Sequence, residues 1–218
     1  MLNLLDIPRG MTAIIGSGGK TTFLCLLART LPGKKILCTT TKIYRPTHLP
    51  VFTGDNLTEI ADALCSTSEV CVGTDTAGEK LGAPQCPLDS LRELCDYLIV
   101  EADGSRGLPL KAHLPHEPVI PPECDKTILV AGLRGLGLPI VEAAHRPERF
   151  AELCGKSLSD PVTPEDIAAV ILAEGIPDVV ILNQIDTGDY AQSMRTIVDL
   201  LPCPVLGASL QNGFLTRI

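Results

Sequence analysis

A glycine-rich segment near the start of the chain constrains the fold most strongly. It reads Ile14-Ile15-Gly16-Ser17-Gly18-Gly19-Lys20-Thr21-Thr22, with apolar residues before it and an amphipathic stretch after it. That order predicts a strand, a glycine loop and a helix. Glycines let backbone N–H groups approach phosphate oxygens without a Cβ in the way, and the positive end of the opening helix favours anions at the same place. The segment therefore predicts a phosphate-binding loop.

The loop residues have predicted roles in holding a nucleoside triphosphate. Lys20 would reach the β- and γ-phosphates, and Thr21 would be a ligand of Mg²⁺. The backbone of the remaining loop positions would hold phosphate oxygens, at Gly16, Ser17, Gly18, Gly19 and Thr22. The usual GxxxxGK(S/T) pattern begins with glycine where this chain has Ile14, so the loop resembles the shorter GTNGKTT loop of the Mur ligases. The alternative is a glycine turn with a solvent-exposed lysine.

The rest of the chain fits an α/β fold. Hydrophobic residues make up 45% of the 218 residues but aromatic ones only 3%, which is typical of aliphatic parallel strands covered by helices. Strands are predicted at Met11–Gly16, Lys35–Thr39, Glu69–Thr74, Tyr97–Ala102, Lys126–Ala131, Val179–Asn183 and Pro204–Ala208. Helices are predicted at Lys20–Leu31, Leu57–Cys65, Leu88–Cys95, Pro164–Glu174 and Tyr190–Leu201, the fourth with Thr163 as N-cap and Asp166 as its capping-box partner.

These elements predict one domain over residues 1–218, with a three-layer architecture like that of P-loop NTPases. The sheet is expected to be mostly parallel and flanked by helices, with an antiparallel hairpin that turns around residues 76–80. We see no internal repeat.

Charge and targeting signals limit the partners that we expect. A net charge of -8 argues against nucleic acid and against anionic membranes. The first ten residues lack an apolar export segment, and no apolar run is long enough to span a bilayer. Nine cysteines without a C-x-x-C pair fit reduced thiols. We therefore expect a soluble, cytoplasmic protein.

Two carboxylates follow the apolar strand that begins at Tyr97. Glu101 and Asp103 would lie at its C-terminal end, where an open α/β sheet binds its ligand. Alternation would put both on one side, so that Asp103 holds magnesium or its hydration shell while Glu101 orients water, or the reverse. This predicts a Walker B segment. The alternative is a pair of solvated carboxylates.

Hydroxyl groups follow the second predicted strand. Thr40 and Thr41, with Lys42, lie at a strand end on the predicted phosphate side of the sheet. They would complete a magnesium shell, sense a γ-phosphate or contact a substrate. Threonine is also common in strands for reasons of packing alone, and we weigh the two interpretations equally.

A base-reading motif is predicted late in the chain. Asn183 and Asp186 follow an apolar strand in an Asn-x-x-Asp tetrad that resembles the NKxD motif of GTPases. A carboxylate at Asp186 would accept hydrogen bonds from both guanine N1–H and the 2-amino group, which disfavours adenine. Ser209 lies one strand further on, at the place of the GTPase SAK/SAL loop. Together these residues favour GTP over ATP.

The loop after the Walker B segment carries cationic and imidazole side chains. Its candidates for phosphate or anionic-substrate binding are Ser105, Arg106, Lys111, His113 and His116. Arg106 is also a catalytic candidate, with Lys20, Glu101 and Asp103, through charge neutralisation during phosphoryl transfer. His113 and His116 are alternative metal ligands, although prolines break the helix that would align them. His145 and Arg146 are a further candidate pair, although a surface or interface pair is the favoured interpretation.

The run EADGSRGLPLKAH, from Glu101 to His113, resembles the YqeC family, together with the GSGGKTT loop, the TTTK segment and the later Asn183-x-x-Asp186. The resemblance covers nearly the whole chain. It implies a P-loop NTPase that assists synthesis or insertion of a labile selenium cofactor for selenium-dependent molybdenum hydroxylases. It also implies an apo-hydroxylase, or its maturation enzymes, as a partner.

Three functions stay open at this point. The first is a Mg²⁺-dependent GTPase or ATPase, or a phosphoryl or nucleotidyl transferase, in that maturation. The second is a nucleotide-gated chaperone or scaffold for the apo-hydroxylase with little activity of its own. The third is an ATP-dependent ligase like the Mur enzymes. A homodimer is an open alternative, since related NTPases often work as dimers.

Overall fold

The computed structural model describes residues 4–218, which form one large sheet and two small ones. The strands in chain order are β1 (Gly10–Gly16), β2 (Lys35–Thr39), β3 (Lys42–Tyr44), β4 (Val51–Phe52), β5 (Glu69–Val72), β6 (Thr74–Asp75), β7 (Lys80–Gly82), β8 (Tyr97–Glu101), β9 (Leu110–Lys111), β10 (Lys126–Gly132), β11 (Ala144–His145), β12 (Val179–Asn183), β13 (Val205–Ser209) and β14 (Phe214–Arg217).

The helices are α1 (Lys20–Thr30), α2 (Leu57–Thr67), α3 (Leu88–Arg92), α4 (Ile140–Ala143), α5 (Pro147–Cys154), α6 (Pro164–Glu174) and α7 (Ala191–Leu200). Within the described part of the chain, every helix is too short or too polar to cross a lipid bilayer. The prediction about an export segment concerns in part residues 1–3, which lie outside the described residues.

The large sheet has nine strands in the order β14-β13-β12-β10-β1-β8-β2-β5-β4. All pairs are parallel except β13 with β14. The strand β1 lies between β8 and β10, with Ile14 opposite Glu101 on one side and Ile128 on the other. The carboxyl ends of these strands therefore meet at one edge of the sheet, where such folds bind ligands.

Alternating side chains on β1 supply both faces of the sheet. Ile14 packs in one core with Phe23 and Leu27 of α1, and Ala13 and Ile15 pack in a second core that includes residues of α5 and α6. Because successive strand residues point to opposite faces, this alternation produces helix, sheet and helix layers. The predicted three-layer, mostly parallel α/β fold is confirmed.

Several element predictions hold, and others need correction. The bounds of β2, β12 and α6 agree with prediction, and the Asp166 carboxylate accepts the predicted capping bond from Thr163 N–H at 2.7 Å. The strand predicted at Glu69–Thr74 is divided, because β5 ends at Val72 and β6 pairs in a separate three-stranded sheet. That sheet contains the predicted hairpin, with β6 and β7 antiparallel.

Short elements were missed because their patterns are too brief to show a period. The helix α5 and the antiparallel edge strand β14 were not predicted, nor were β3, β9 and β11. The helix predicted at Leu88–Cys95 ends at Arg92, and the following N–H groups of Leu94 and Cys95 make turn bonds instead.

Candidate functional site

The glycine loop is anchored by backbone contacts that leave no room for larger residues. Gly18 has a φ of +80°, and a Cβ on it would lie 2.6 Å from backbone atoms of Gly132 and Pro109. Ser17 N–H donates to the Val130 carbonyl at 2.8 Å, and its hydroxyl donates to the Leu108 carbonyl. The loop is therefore held in one conformation by β10 and by the segment that precedes β9.

The helix α1 begins at Lys20 without a side-chain cap. The first N–H groups of a helix have no intrahelical acceptor, so an uncapped start offers donors to an external anion. Gly18 to Thr22 line a cleft of about 850 Å³ at this point. The cleft lies at the carboxyl edge of the sheet, since it is also lined by residues that follow or end β2, β8 and β12, namely Thr41, Lys42, Glu101 and Gln184.

The Lys20 side chain is turned into the sheet edge. Lys20 is 3% exposed, and its Nζ lies 2.7 Å from the Gly16 carbonyl oxygen. The same ammonium is 2.9 Å from Asp103 Oδ1 and 3.9 Å from Glu101 Oε1. The interpretation of Lys20 as a solvent-exposed lysine in a simple turn is wrong, and both predicted Walker B carboxylates lie beside it.

Asp103 is the centre of a buried network of charges. Its Oδ2 accepts hydrogen bonds from Gly16 N–H at 2.8 Å and from His113 Nε2 at 2.6 Å, and it lies 3.5 Å from Lys111 Nζ. Burial alone would raise the pKa of Asp103. The hydrogen bond from His113 and the two lysine charges outweigh burial, and the pKa falls to about 2. Asp103 is therefore ionised and surrounded by positive charge.

His113 extends this network to the end of α6. Its Nδ1 lies 2.6 Å from Glu174 Oε2, while its Nε2 contacts Asp103. Burial would lower the pKa of His113, but the bonds to two carboxylates raise it, which favours the imidazolium. Both ring nitrogens are thus engaged, and among residues 4–218 no group of three or more His, Cys, Asp or Glu side chains is arranged to hold a metal ion.

Of the two predicted Walker B carboxylates, Glu101 is the one that reaches the cleft. It lies in the cleft wall, and its Oε2 is 3.4 Å from the Thr21 hydroxyl. Burial raises the pKa of Glu101 to about 7, despite the opposing charge of Lys20. Since Asp103 is fully buried and occupied by protein cations, the pair that could hold a divalent metal is Thr21 with Glu101. The sequence predicts Thr21 and Asp103 as metal ligands with Glu101 as the alternative to Asp103, and the structure leaves Glu101 as the carboxylate that lines the cleft.

Not every predicted substrate residue lies at the cleft. Ser105 and Arg106 line it, as do Thr41 and Lys42. Thr40 instead donates its hydroxyl to the Val119 carbonyl at 2.8 Å.

Three residues that were expected within reach of the phosphates lie elsewhere. Lys111 and His113 are buried beneath the cleft against Asp103, and His116 is exposed, away from the described cleft lining. Burial of Lys111 follows from its place on β9, which pairs with β11 rather than forming an open loop. A strand pair of this length leaves too short a pattern to be predicted.

His145 was misassigned to the surface. It is 8% exposed, lies on β11 opposite Lys111, and forms part of the cleft wall. Burial lowers the pKa of His145, and the charges of Lys111 and Arg146 add to that effect. Three further cleft residues, Tyr44, Lys80 and Glu117, were not predicted. Only the hairpin signal around residues 76–80 pointed towards one of them.

Asn183 joins the glycine loop to the loop after β13. Its Nδ2 donates to the Gly18 carbonyl at 2.7 Å, and its Oδ1 accepts from Leu210 N–H at 3.0 Å. A smaller cleft of about 130 Å³ opens here, lined by the glycine loop together with Asp186 and Ser209. Asn212 Nδ2 contacts both of these residues, at 3.2 Å and 2.7 Å. The structure thus brings together all three predicted base-reading residues beside the glycine loop.

Comparison with known proteins identifies relatives of this chain. The family model described as "YqeC protein" matches residues 12–148, a segment that contains the glycine loop, Asp103 and His145. A protein of Escherichia coli (strain K12) named "Uncharacterized protein YqeC" is 36% identical over 169 residues. The match covers 73% of this chain and 66% of the relative, so it spans just under two thirds of that protein's length.

Proposed function

Because the chain belongs to the YqeC family, we propose that it is a P-loop nucleotide-binding protein that uses GTP or ATP with Mg²⁺. The observation that supports this best is the uncapped start of α1, where a glycine loop opens onto a large cleft and Lys20 lies beside two carboxylates. The family resemblance adds the pathway: assistance to selenium cofactor synthesis or insertion for selenium-dependent molybdenum hydroxylases.

In this proposal the loop amides and Lys20 hold the phosphates. The residues at the start of α1 line the cleft, and their N–H groups, which lack a side-chain cap, would donate to phosphate oxygens. Lys20 would exchange its contact with Asp103 for the β- and γ-phosphates. Asp103 would remain neutralised after that exchange, because Lys111 and His113 still contact it. The buried charges therefore allow Lys20 to move without leaving a bare carboxylate.

The residues beside Lys20 fit a magnesium ion. A threonine hydroxyl and a glutamate carboxylate are hard oxygen donors, which Mg²⁺ prefers, and Thr21 and Glu101 already face each other across 3.4 Å. When bound, the ion would supply charge neutralisation to the β- and γ-phosphate oxygens. Arg106, which lines the same cleft from the exposed loop after β8, would add a guanidinium to the transferring phosphoryl group.

The second cleft supports guanine as the base. Asn183 holds the glycine loop against Leu210, and Asp186 presents a carboxylate at the same opening. A carboxylate pairs with the two donors on the guanine edge and has no donor for adenine. On this basis we propose GTP ahead of ATP.

A thermal-shift panel tests nucleotide binding. GTP, ATP, CTP and their diphosphates are compared with magnesium, and GTP is expected to raise the melting temperature most, because ligands that bind the folded state stabilise it. Lys20→Ala should remove the shift, whereas Lys34→Ala, before β2 at the opposite edge of the sheet, should keep it. A well-folded protein that responds to none of these nucleotides would overturn the proposal.

Base choice is tested with Asp186→Asn. An amide reverses the donor and acceptor pattern at this position, so the variant should prefer xanthosine triphosphate to GTP by about tenfold or more. The measurement is direct titration of each nucleotide by calorimetry. A wild-type preference for ATP would contradict the assignment of Asp186.

Turnover separates an enzyme from a nucleotide-gated chaperone. Phosphate release from GTP is measured with the protein alone and with an apo molybdenum hydroxylase. Brisk release on adding a small selenium or molybdopterin compound supports the enzyme. Release that depends on the apo-hydroxylase supports the chaperone.

A further inference from the structure

The large cleft extends well beyond the glycine loop. Its far wall is built by the small β3–β7 sheet and the loop after β8, which contribute Lys42, Tyr44, Lys80 and Arg106. We call these four residues the cationic wall. A volume of about 850 Å³ is that of a pocket for a whole small ligand. Since the proposed base site is the separate cleft beside Asn183, a triphosphate at the loop leaves space against this wall.

The positive charges of the wall form no direct ion pairs with carboxylates of the described residues. None of the ion pairs found within residues 4–218 includes Lys42, Lys80 or Arg106. Glu101 and Glu117 also line the cleft, but Glu101 lies 3.9 Å from Lys20, and Glu117 lies 3.0 Å from Lys111 and 3.5 Å from Arg146. Three free cations from three segments of the chain, facing one cleft, favour an anionic ligand.

The wall also presents an aromatic ring. Tyr44 is 59% exposed, and the Lys80 ammonium lies 4.5 Å from the centroid of its ring. The two residues are held together because Tyr44 on β3 pairs directly with Lys80 on β7. An exposed ring beside cations can stack on a planar ligand while the cations hold its anionic group.

We propose that the cationic wall binds a second substrate: a planar aromatic or heteroaromatic compound that carries a phosphate or a similar dianionic group. This inference deepens the proposed function. It rests on that function in one respect: the proposed function places the nucleoside triphosphate at the glycine-loop end of the cleft. The second substrate then lies alongside the γ-phosphate end, on the side opposite the base.

Phenyl phosphate is a suitable probe, because it combines one ring with one dianionic group. Its binding is measured by calorimetry to protein saturated with Mg²⁺ and a non-hydrolysable GTP analogue. The double variant Lys42→Gln/Lys80→Gln should weaken binding at least about tenfold, since two charge-assisted contacts are lost. Lys42 is exposed and Lys80 is half-buried, and neither belongs to the hydrophobic core, so the change should not disturb it. Lys34→Gln serves as the matched control.

A second comparison tests the role of the ring. Tyr44→Leu should weaken binding of phenyl phosphate about tenfold but leave binding of inorganic phosphate unchanged, because only the former can stack. If Tyr44→Leu weakens binding of both probes equally, or weakens binding of neither, the aromatic part of the inference is overturned.

Nucleotide affinity is measured separately for every variant, so that failure of the proposed nucleotide site can be distinguished from failure of the second-substrate site. Phenyl phosphate binding that needs Lys42 and Lys80 but not Lys20 supports the inference, even if the nucleotide panel finds no ligand. Competition between phenyl phosphate and the GTP analogue would assign the wall to the nucleotide and overturn it. Absence of binding by both phenyl phosphate and inorganic phosphate would also overturn it.

Discussion

Asp103 links three parts of the chain at the level of single residues. It accepts a hydrogen bond from the loop at Gly16, contacts Lys20 of α1, and bonds His113, which reaches Glu174 at the end of α6. Asp103, Lys20 and His113 are buried, so removing one of them leaves a charge that water cannot solvate. Breaking such a pair typically costs about 3–5 kcal/mol.

The charge on His113 should therefore matter for stability. His113→Gln keeps a polar side chain but removes the cation, and we expect a loss of about 3 kcal/mol in the free energy of unfolding at pH 6. Denaturant unfolding measures the change. His116→Gln is the matched control, because that side chain is exposed, and it should stay within about 0.5 kcal/mol of wild type.

The cost of His113→Gln should also depend on pH. The pKa of His113 is raised above 6.5 in the folded protein, so its stabilising effect is complete below pH 6.5 and is lost as pH rises through the folded-state value. The variant and wild type should converge in alkaline solution. A difference that does not change with pH would assign the effect to packing.

Glu101 should show a pH dependence of the same sign, over a lower pH range. Its pKa rises from 4.5 to about 7 on folding, so the folded state binds more protons than the unfolded state between these values, and stability falls as pH rises. Glu101→Gln removes this slope. Between pH 4.5 and 7.5 the variant should gain about 3 kcal/mol relative to wild type, measured by denaturant titrations at each pH. Parallel curves for the two proteins would contradict the burial of an ionisable Glu101.

The glycine loop determines the geometry of the site at the level of secondary-structure elements. Gly18 combines a φ of +80° with backbone atoms of two other segments in the space that a Cβ would need. Gly137 has a similar φ of +77°, but nothing lies within 4 Å of a Cβ there. A side chain at Gly137 would therefore meet backbone strain alone, whereas one at Gly18 would meet both backbone strain and a steric clash.

Alanine at these two glycines should have unequal effects. Gly137→Ala should cost about 1–2 kcal/mol, the penalty of a left-handed conformation alone. Gly18→Ala should cost more, because the loop must also move away from Gly132 and Pro109, and it should abolish the thermal shift with GTP. Melting temperatures with and without nucleotide measure both effects. Retention of the GTP shift in Gly18→Ala would show that the loop backbone is not the phosphate site.

The whole molecule brings the two ends of the proposed nucleotide site together from opposite ends of the chain. The glycine loop follows β1, and the proposed base-reading residues lie at the ends of β12 and β13 or just after β12, with Asn183 bonded to the glycine loop and to the loop after β13. A nucleotide that bridges them would stabilise the sheet edge as a unit. At about 100 times its dissociation constant, the expected stabilisation is about 2.7 kcal/mol.

Hydrogen exchange can detect this bridging. Magnesium and GTP should slow amide exchange in residues 16–22 and also in residues 205–211, whereas Lys20→Ala should show neither change. The measurement is mass spectrometry of peptides from the protein with and without nucleotide. Protection confined to residues 16–22 would mean that the base lies away from Asn183.

The sequence by itself determined the strand, glycine loop and helix at the site, most strands of the large sheet, and the helix α6 with its capping residue. These features depend on neighbours within a few positions, through periodicity, glycine and capping bonds. It also placed Glu101 and Asp103 at a strand end beside Lys20, because parallel strands direct their carboxyl ends to one edge.

Only the tertiary structure decided which charged side chains lie in the buried network and which line the cleft. In the folded protein Asp103, Lys111 and His113 form a buried network, whereas Glu101 lies with Thr21 at the cleft. The tertiary structure also moved His145 from the expected surface to the cleft wall and paired Tyr44 with Lys80. The physical reason is that each contact joins segments far apart in the chain, such as His113 with Glu174, and burial of a charge depends on which elements pack over it.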